Sequence, residues 1–218
     1  MHRDDVEYLV VHTAAFPHRN CDRDLIDRWH RERGWSGIGY HYVIINDLHD
    51  DLEDGTVQEG RPPSRQGAHV LGINGRSIGI CCVGHGDRQP HTAAQRRSLL
   101  NLLSDLMDQH PNATVDGVIG HREINDLVRE GVVDARFRTS KTCPGTMVDM
   151  DEIRDQLREL RSREEEPLDE DAPRPSDEEI RTALDTLAAI PGSIFPNAHD
   201  ELRAFLFHPE VLGIAEEA

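Results

Sequence analysis

The chain has 218 residues, of which 41 are acidic and 24 basic, so its formal net charge at pH 7 is −17. This length is enough for one sizeable core with a small appendage. The acidic balance argues against nucleic acid as a partner, and we expect no membrane insertion, because no stretch approaches the ~18 apolar residues of a membrane helix.

The charge is distributed unevenly. Residues 159–218 hold 16 acidic and 5 basic side chains, whereas residues 1–158 hold 25 and 19. Lys141 is the only lysine, and every other basic residue is an arginine. Such a composition is typical of a GC-rich genome or a salt-adapted host. The four cysteines are too few for a disulfide framework, which favours synthesis in a reducing compartment.

The first residues predict a strand followed by a helix. Residues 6–11 are β-branched and almost wholly apolar, as in a buried strand, and His12 follows at the end of this run. Residues 22–33 space their apolar side chains on one helical face. We expect His30 on the surface of this helix and Cys21 as a surface thiol.

Three further apolar segments predict strands. Residues 39–45 alternate apolar and polar side chains, which indicates a second strand. Asp54-Gly55 is a typical turn dipeptide and predicts a hairpin into residues 56–60. Residues 77–83 predict another buried strand.

A long helix and a last strand follow. Thr92 suits the N-cap of a helix over residues 92–110, and Gln95 completes a capping box. Residues 114–119 predict a strand that leads to Gly120 and His121. Because strands and helices alternate along the chain, the predicted fold class is α/β.

The rest of the chain divides into three parts. Residues 124–140 predict a loop, or a short helix plus a loop, and residues 149–161 an amphipathic helix that closes a main domain of residues 1–161. Residues 162–176 have the composition of an acidic, proline-containing linker. Residues 177–218 predict a small acidic helical tail.

Three potential metal ligands lie at or after the ends of predicted elements. They are His12, His121 and Cys143, the last within the sequence KTCPG. Two imidazoles and one thiolate with an open fourth position are typical of catalytic zinc. The spacing also allows a structural interpretation, in which the histidines end strands by chance and the cysteine is inert packing.

Seven motifs within the first 150 residues carry a resemblance to a known family. In chain order they are VVHTAA, WH..RGW.GIGYHYVI, DGTV..GRP, GAHV, N..SIGI, GHREI and KTCPG. Together they resemble the zinc-dependent N-acetylmuramoyl-L-alanine amidases of the type-2 family, above all the amidase-type lysozymes of tailed phages. Peptidoglycan-recognition proteins share that fold. The resemblance implies a mixed central sheet flanked by helices, with zinc at one end of the sheet.

The resemblance also assigns roles to six residues. The implied zinc ligands are His12, His121 and Cys143, the catalytic pair is Tyr40 and Lys141, and a substrate-groove residue is His69. The last three residues also have structural interpretations. Tyr40 could cap the apolar edge of its strand, Lys141 could be a solvated loop lysine, and His69 could be a polar residue in a turn.

Two features separate this chain from other branches of the family. The cytosolic muropeptide-recycling branch has Glu where this chain has Cys81, and Asp as the third ligand where it has Cys143. The chain therefore resembles the phage-lysozyme and recognition-protein branch. Residues 124–140 lengthen the segment between the last two ligands, and we expect them to border the groove.

The sequence thus predicts a zinc-dependent peptidoglycan hydrolase that cleaves the amide between N-acetylmuramic acid and L-alanine. We expect a viral endolysin or virion-associated wall hydrolase, made in the host cytoplasm and acting on the wall after release or from a virion. Its partners would be peptidoglycan and, through the tail, other virion proteins. The alternatives are a non-catalytic virion component that binds a glycopeptide or surface polymer, and a structural virion protein of a salt-adapted virus.

Overall fold

The computed structural model of the protein describes residues 2, 5–165 and 182. The predicted tail and most of the predicted linker lie outside the described residues. Strands and helices alternate in the order β1 (Tyr8–Thr13), α1 (Arg23–Glu32), β2 (Tyr42–Ile44), β3 (Val57–Glu59), β4 (Ser77–Cys82), α2 (Ala93–Gln109), β5 (Val118–Gly120), α3 (Ile124–Arg129) and α4 (Met150–Glu165). The predicted α/β class is confirmed.

The five strands form one mixed sheet in the order β3-β2-β4-β1-β5. Strand β1 runs parallel to both β4 and β5, β2 runs parallel to β4, and only β3 is antiparallel to its neighbour. The carboxyl ends of four strands therefore meet at one edge of the sheet, which is where sites are commonly built in parallel sheets.

Helices cover both faces of the sheet. Leu9 and Val11 of β1 belong to a buried cluster with α2 and α4, whereas Val10 belongs to a second cluster with α3. A third cluster joins Ile26 of α1 to Val43 of β2. Because side chains alternate along a strand, His12 shares the face of Val10, beneath α1 and α3.

The predicted capping box at the start of α2 is present. The Thr92 hydroxyl accepts from the Gln95 backbone N–H at 3.0 Å, and the Gln95 side chain accepts from the Thr92 N–H at 3.2 Å. The Gln95 amide also donates to the carbonyl oxygens of Ile44 and Val83. One side chain thus caps α2 and ties it to the ends of two strands.

The start of β5 and the end of α4 are among the boundaries that differ from those expected. Residues 115–117 form a 3₁₀ turn before β5, because the Thr114 hydroxyl accepts from the Gly117 N–H at 3.3 Å and closes a tight turn. Helix α4 continues to Glu165, so residues 162–165 are helical although their composition suggested linker. Among the described residues, no helix is both long and apolar enough to span a bilayer.

Candidate active site

Two histidines and one cysteine meet at the carboxyl edge of the sheet. Val11 of β1 pairs with Gly120 of β5, so His12 and His121 follow side by side. The Nδ1 atoms of these two histidines are 3.2 Å apart, and the Sγ atom of Cys143 lies 3.7 Å from Nδ1 of His12. Ligand atoms of all three residues lie within 4.8 Å of one another.

The loop that carries Cys143 is held by hydrogen bonds from the turn after β5. The Arg122 backbone N–H donates to the Cys143 carbonyl oxygen at 2.8 Å. The guanidinium of Arg122 also donates to the carbonyl oxygens of Thr142, Gly145 and Val148. Asp87 accepts from the Thr142 hydroxyl and from the Thr146 N–H, both at 2.7 Å. The thiol therefore sits on a fixed backbone.

The spacing of these donors suits a tetrahedral zinc ion. Tetrahedral zinc bonds of about 2.0 Å to nitrogen and 2.3 Å to sulfur separate two nitrogens by about 3.3 Å, and a nitrogen from the sulfur by about 3.5 Å. The observed separations are 3.2 and 3.7 Å. Imidazole and thiolate are also the ligand types that zinc prefers. The donor set fits zinc in chemistry and in the two separations that involve His12, and the atoms of His121 and Cys143 lie within 4.8 Å of each other.

Burial sets the protonation of these groups. Burial lowers the pKa of His12 well below its usual value, and that of His121 to about 4, so both rings are neutral at pH 7. Burial also raises the pKa of the Cys143 thiol to about 11, although the Thr13 N–H donates to the sulfur at 3.4 Å and opposes the shift. The cysteine must therefore lose a proton before it can bind a metal.

Tyr40 and Lys141 lie beside this cluster. The Tyr40 ring centroid is 5.0 Å from that of His12, and burial raises the pKa of its phenol well above 10, so it keeps its proton. Lys141 is exposed, and its positive charge lowers the pKa of both His12 and His121, with burial the larger cause in each. A neutral hydrogen-bond donor and a cation thus flank the cluster.

His69 contacts the cluster directly. Its Nδ1 atom is 3.0 Å from Nε2 of His12, and the residue is 9% exposed. Burial, followed by the charge of His41, lowers the pKa of His69, so its ring is neutral as well. The same residue lines the cleft described next, where the sequence placed a substrate-groove residue.

A cleft with two lobes opens above the cluster. Each lobe has a volume of about 330 Å³. Residues shared by both lobes are Trp35, Ala68, His69, His121 and Lys141. The first lobe continues past Tyr40 to Arg33 and Asp87. The second continues past Leu71 to Arg136 and Phe137. His121 thus lies where the two lobes meet, and Cys143 lines the first lobe.

The positions of some residues in and near the cleft differ from those that the sequence predicts. His30 was expected on the helix surface, but it is buried and lines the first lobe, because its Nδ1 accepts from the Gly39 N–H at 2.9 Å. Cys21 was expected as a surface thiol and is 1% exposed. Arg136 and Phe137 were not singled out, although the segment that carries them was expected to border the groove, and it does.

Comparisons with known proteins agree with this geometry. The family model described as N-acetylmuramoyl-L-alanine amidase matches residues 2–146. The chain belongs to this amidase family. The endolysin of Escherichia phage T7 is 35% identical over 119 residues, covering 52% of this chain and 74% of the endolysin. Peptidoglycan-recognition protein SC2 of Drosophila melanogaster is 33% identical over 152 residues, covering 66% of this chain and 70% of that protein.

Solved structures of an amidase and of an endolysin have a similar fold. The N-acetylmuramoyl-L-alanine amidase LysC from Clostridium intestinale matches with a TM-score of 0.57 and 29% identity, over 72% of this chain and 87% of LysC. The Ph2119 endolysin, from a bacteriophage of Thermus scotoductus, matches with a TM-score of 0.52 and 26% identity, over 70% and 84% of the two chains. This amidase fold therefore extends over most of the described residues.

Proposed function

We propose that the protein is a zinc-dependent hydrolase that cleaves peptidoglycan at the amide between N-acetylmuramic acid and L-alanine. The observation that carries this proposal is the cluster of His12, His121 and Cys143 beside the cleft, with His121 where the two lobes meet, in a chain of the amidase family. The relatives named endolysins support peptidoglycan as the substrate.

The three clustered residues would hold the metal. When bound, zinc supplies a Lewis acid that polarises the scissile carbonyl and makes water nucleophilic at neutral pH. Three protein ligands fit this use, because a structural site closes all four positions with protein side chains. The backbone bonds around Cys143 keep the third ligand in place while substrate enters.

Tyr40 and Lys141 would act on the charge that develops during attack. Tyr40 retains its phenolic proton and can donate a hydrogen bond to the carbonyl oxygen of the scissile amide. The Lys141 ammonium, exposed in the cleft, can stabilise the oxyanion of the tetrahedral intermediate. A donor of this kind contributes about 3–4 kcal/mol to transition-state stabilisation in comparable sites.

The cleft would bind the two arms of the substrate on either side of the scissile bond. The lobes meet at His121 and Lys141, so an amide held there would extend its glycan arm into one lobe and its peptide arm into the other. His69 lines both lobes and would contact the substrate near the same point.

The biological setting is part of the proposal. The relatives named endolysins favour an enzyme made in an infected cell and released onto the wall. Carriage on a virion, with residues 177–218 contacting other virion proteins, is the second setting that we propose, on the composition of that segment.

Digestion of purified sacculi tests the activity. Zinc-loaded protein should release fragments with new L-alanine amino ends, identified by mass. Cys143→Ala and Lys141→Ala should each lose this release, and Cys21→Ala, which removes a buried thiol outside the cleft, should retain it. Release of reducing sugars would overturn the proposal in favour of glycosidase chemistry. Binding to sacculi without cleavage would overturn it in favour of a recognition protein.

A further inference from the structure

His69 makes a second contact on the side of its ring that faces away from the cluster. Its Nε2 atom lies 3.5 Å from the Ser77 hydroxyl oxygen. The single hydroxyl proton of Ser77 is donated to the Ile73 carbonyl oxygen at 2.8 Å. A hydroxyl whose proton is already used can only accept from a second partner. The Nε2 atom of His69 therefore carries the proton in this contact.

This assignment determines which nitrogen of His12 carries the proton and which carries the lone pair. A neutral imidazole has one N–H and one lone pair, so a proton on Nε2 leaves Nδ1 of His69 as an acceptor. The only ring atom of His12 in reach is Nε2, at 3.0 Å, and it must donate. The proton of His12 is thus on Nε2, and the lone pair on its Nδ1 faces His121 and Cys143.

The ring of His69 is also clamped in position. A Cβ atom at Gly79 would lie 2.5 Å from Cγ of His69, and one at Gly67 would lie 2.5 Å from Cδ2. Only glycine permits so close an approach to the ring at these two positions. The backbone N–H groups of His69 and Val70 both donate to the Asn74 side-chain oxygen at 2.9 Å. The ring is thus closely packed, and its backbone is held by two hydrogen bonds.

We propose that His69 is a positioning residue, which holds His12 in the tautomer and ring orientation that bind a metal through Nδ1. Ser77 sets the tautomer of His69, and Gly67 and Gly79 allow the backbone to pack closely against its ring. A partner that orients a metal-binding histidine typically strengthens metal binding 10–100-fold. The inference rests on the proposed function in that zinc is the metal bound. It gives His69 a task that is separate from any contact with substrate.

Zinc affinity and histidine tautomers test this role without any substrate. His69→Phe keeps a ring of similar volume but has no acceptor, and we expect its zinc dissociation constant to rise about 10–100-fold. His69→Asn places an amide oxygen near the position of Nδ1, and should recover most of the affinity. Nitrogen-15 NMR of the metal-free protein should show His12 as the Nε2–H tautomer in the wild type and as a mixture in His69→Phe.

A role of His69 in substrate contact alone predicts different values of zinc affinity and KM. If His69 only contacts substrate, His69→Phe will bind zinc like the wild type and raise KM on sacculi, and this result would overturn the proposal. If His69→Phe does not fold, the His12 tautomer of the wild type decides, because the contact with His69 requires the proton on Nε2. An Nε2–H tautomer supports the proposal, and an Nδ1–H tautomer overturns it. A wild type that binds zinc but leaves sacculi intact would contradict the proposed function alone.

Discussion

Among the three proposed zinc ligands, Cys143 is the one whose protonation must change when zinc binds. Its pKa of about 11 makes it a thiol at about pH 6, whereas His121, with a pKa of about 4, is already neutral there. At that pH a water on zinc, with a pKa of ~7, keeps its proton. We therefore expect zinc binding at about pH 6 to release about one proton, and zinc affinity to rise with pH.

Calorimetric titration in buffers of different ionisation enthalpy measures this proton release. Cys143→Ala should release none, because the remaining ligands are neutral imidazoles. Release of two protons from the wild type would mean that a histidine is charged before zinc binds, contrary to the effect of burial on His12 and His121.

Removal of the Tyr40 hydroxyl tests the catalytic role proposed for this residue separately from its packing. Tyr40→Phe keeps the ring that lies 5.0 Å from the ring of His12, but removes the hydrogen-bond donor. We expect the rate of hydrolysis of sacculi to fall about 10²-fold, the effect of losing one oxyanion donor, with zinc affinity unchanged. Full activity in Tyr40→Phe would assign the residue to packing alone.

Residues at strand ends were predictable from the sequence, whereas burial that depends on distant partners was not. His12 and His121 follow apolar runs, so their meeting at one sheet edge follows from topology. His30 lies on a polar helix, and the local sequence pattern predicts a surface position for it. It is buried because Gly39 donates to its ring and the Trp35 ring lies 4.5 Å away, contacts that no local pattern encodes.

At the scale of elements, Glu123 joins β5 to α4. Its carboxylate accepts from the Gly120 N–H at 2.7 Å and from the Arg154 guanidinium at 3.1 Å, and both charged side chains are largely buried. We expect Glu123→Gln to lower the free energy of unfolding by about 2–4 kcal/mol, because the Arg154 charge loses its buried partner.

Asp151 provides the matched control for this substitution. It also pairs with Arg154, but its side chain is 88% exposed. Asp151→Asn should change the free energy of unfolding by less than about 1 kcal/mol, since exposed ion pairs contribute little. Equal losses in both variants, measured by urea unfolding, would show that burial of the Glu123 pair is not what makes it stabilising.

Elements with their own local signals matched the sequence expectation closely. The capping box at Thr92 and Gln95 set the start of α2 correctly, because both partners lie within one turn. The strand expected over residues 114–119 begins later, because the Thr114 side chain accepts from the Gly117 N–H and closes a 3₁₀ turn there. Residues 124–140 carried too weak a pattern to predict which of their side chains enter the cleft.

At the scale of the molecule, the main domain should be independent of the C-terminal segment. The sheet, its core clusters and all six candidate site residues lie within residues 5–165. We expect a protein that ends at residue 165 to retain its melting temperature and its kcat/KM on a soluble muramyl peptide. A large fall in either value would assign residues 166–218 a part in folding or catalysis.

The single lysine of the chain is exposed where the cleft lobes meet. A reagent that modifies lysine can therefore label the cleft at one known residue. An acylating reagent directed at primary amines has one side-chain target, Lys141, besides the amino terminus. Modification followed by mass spectrometry would thus report cleft occupancy at a single peptide. A muramyl peptide that fills the cleft should slow this labelling while leaving that of the amino terminus unchanged.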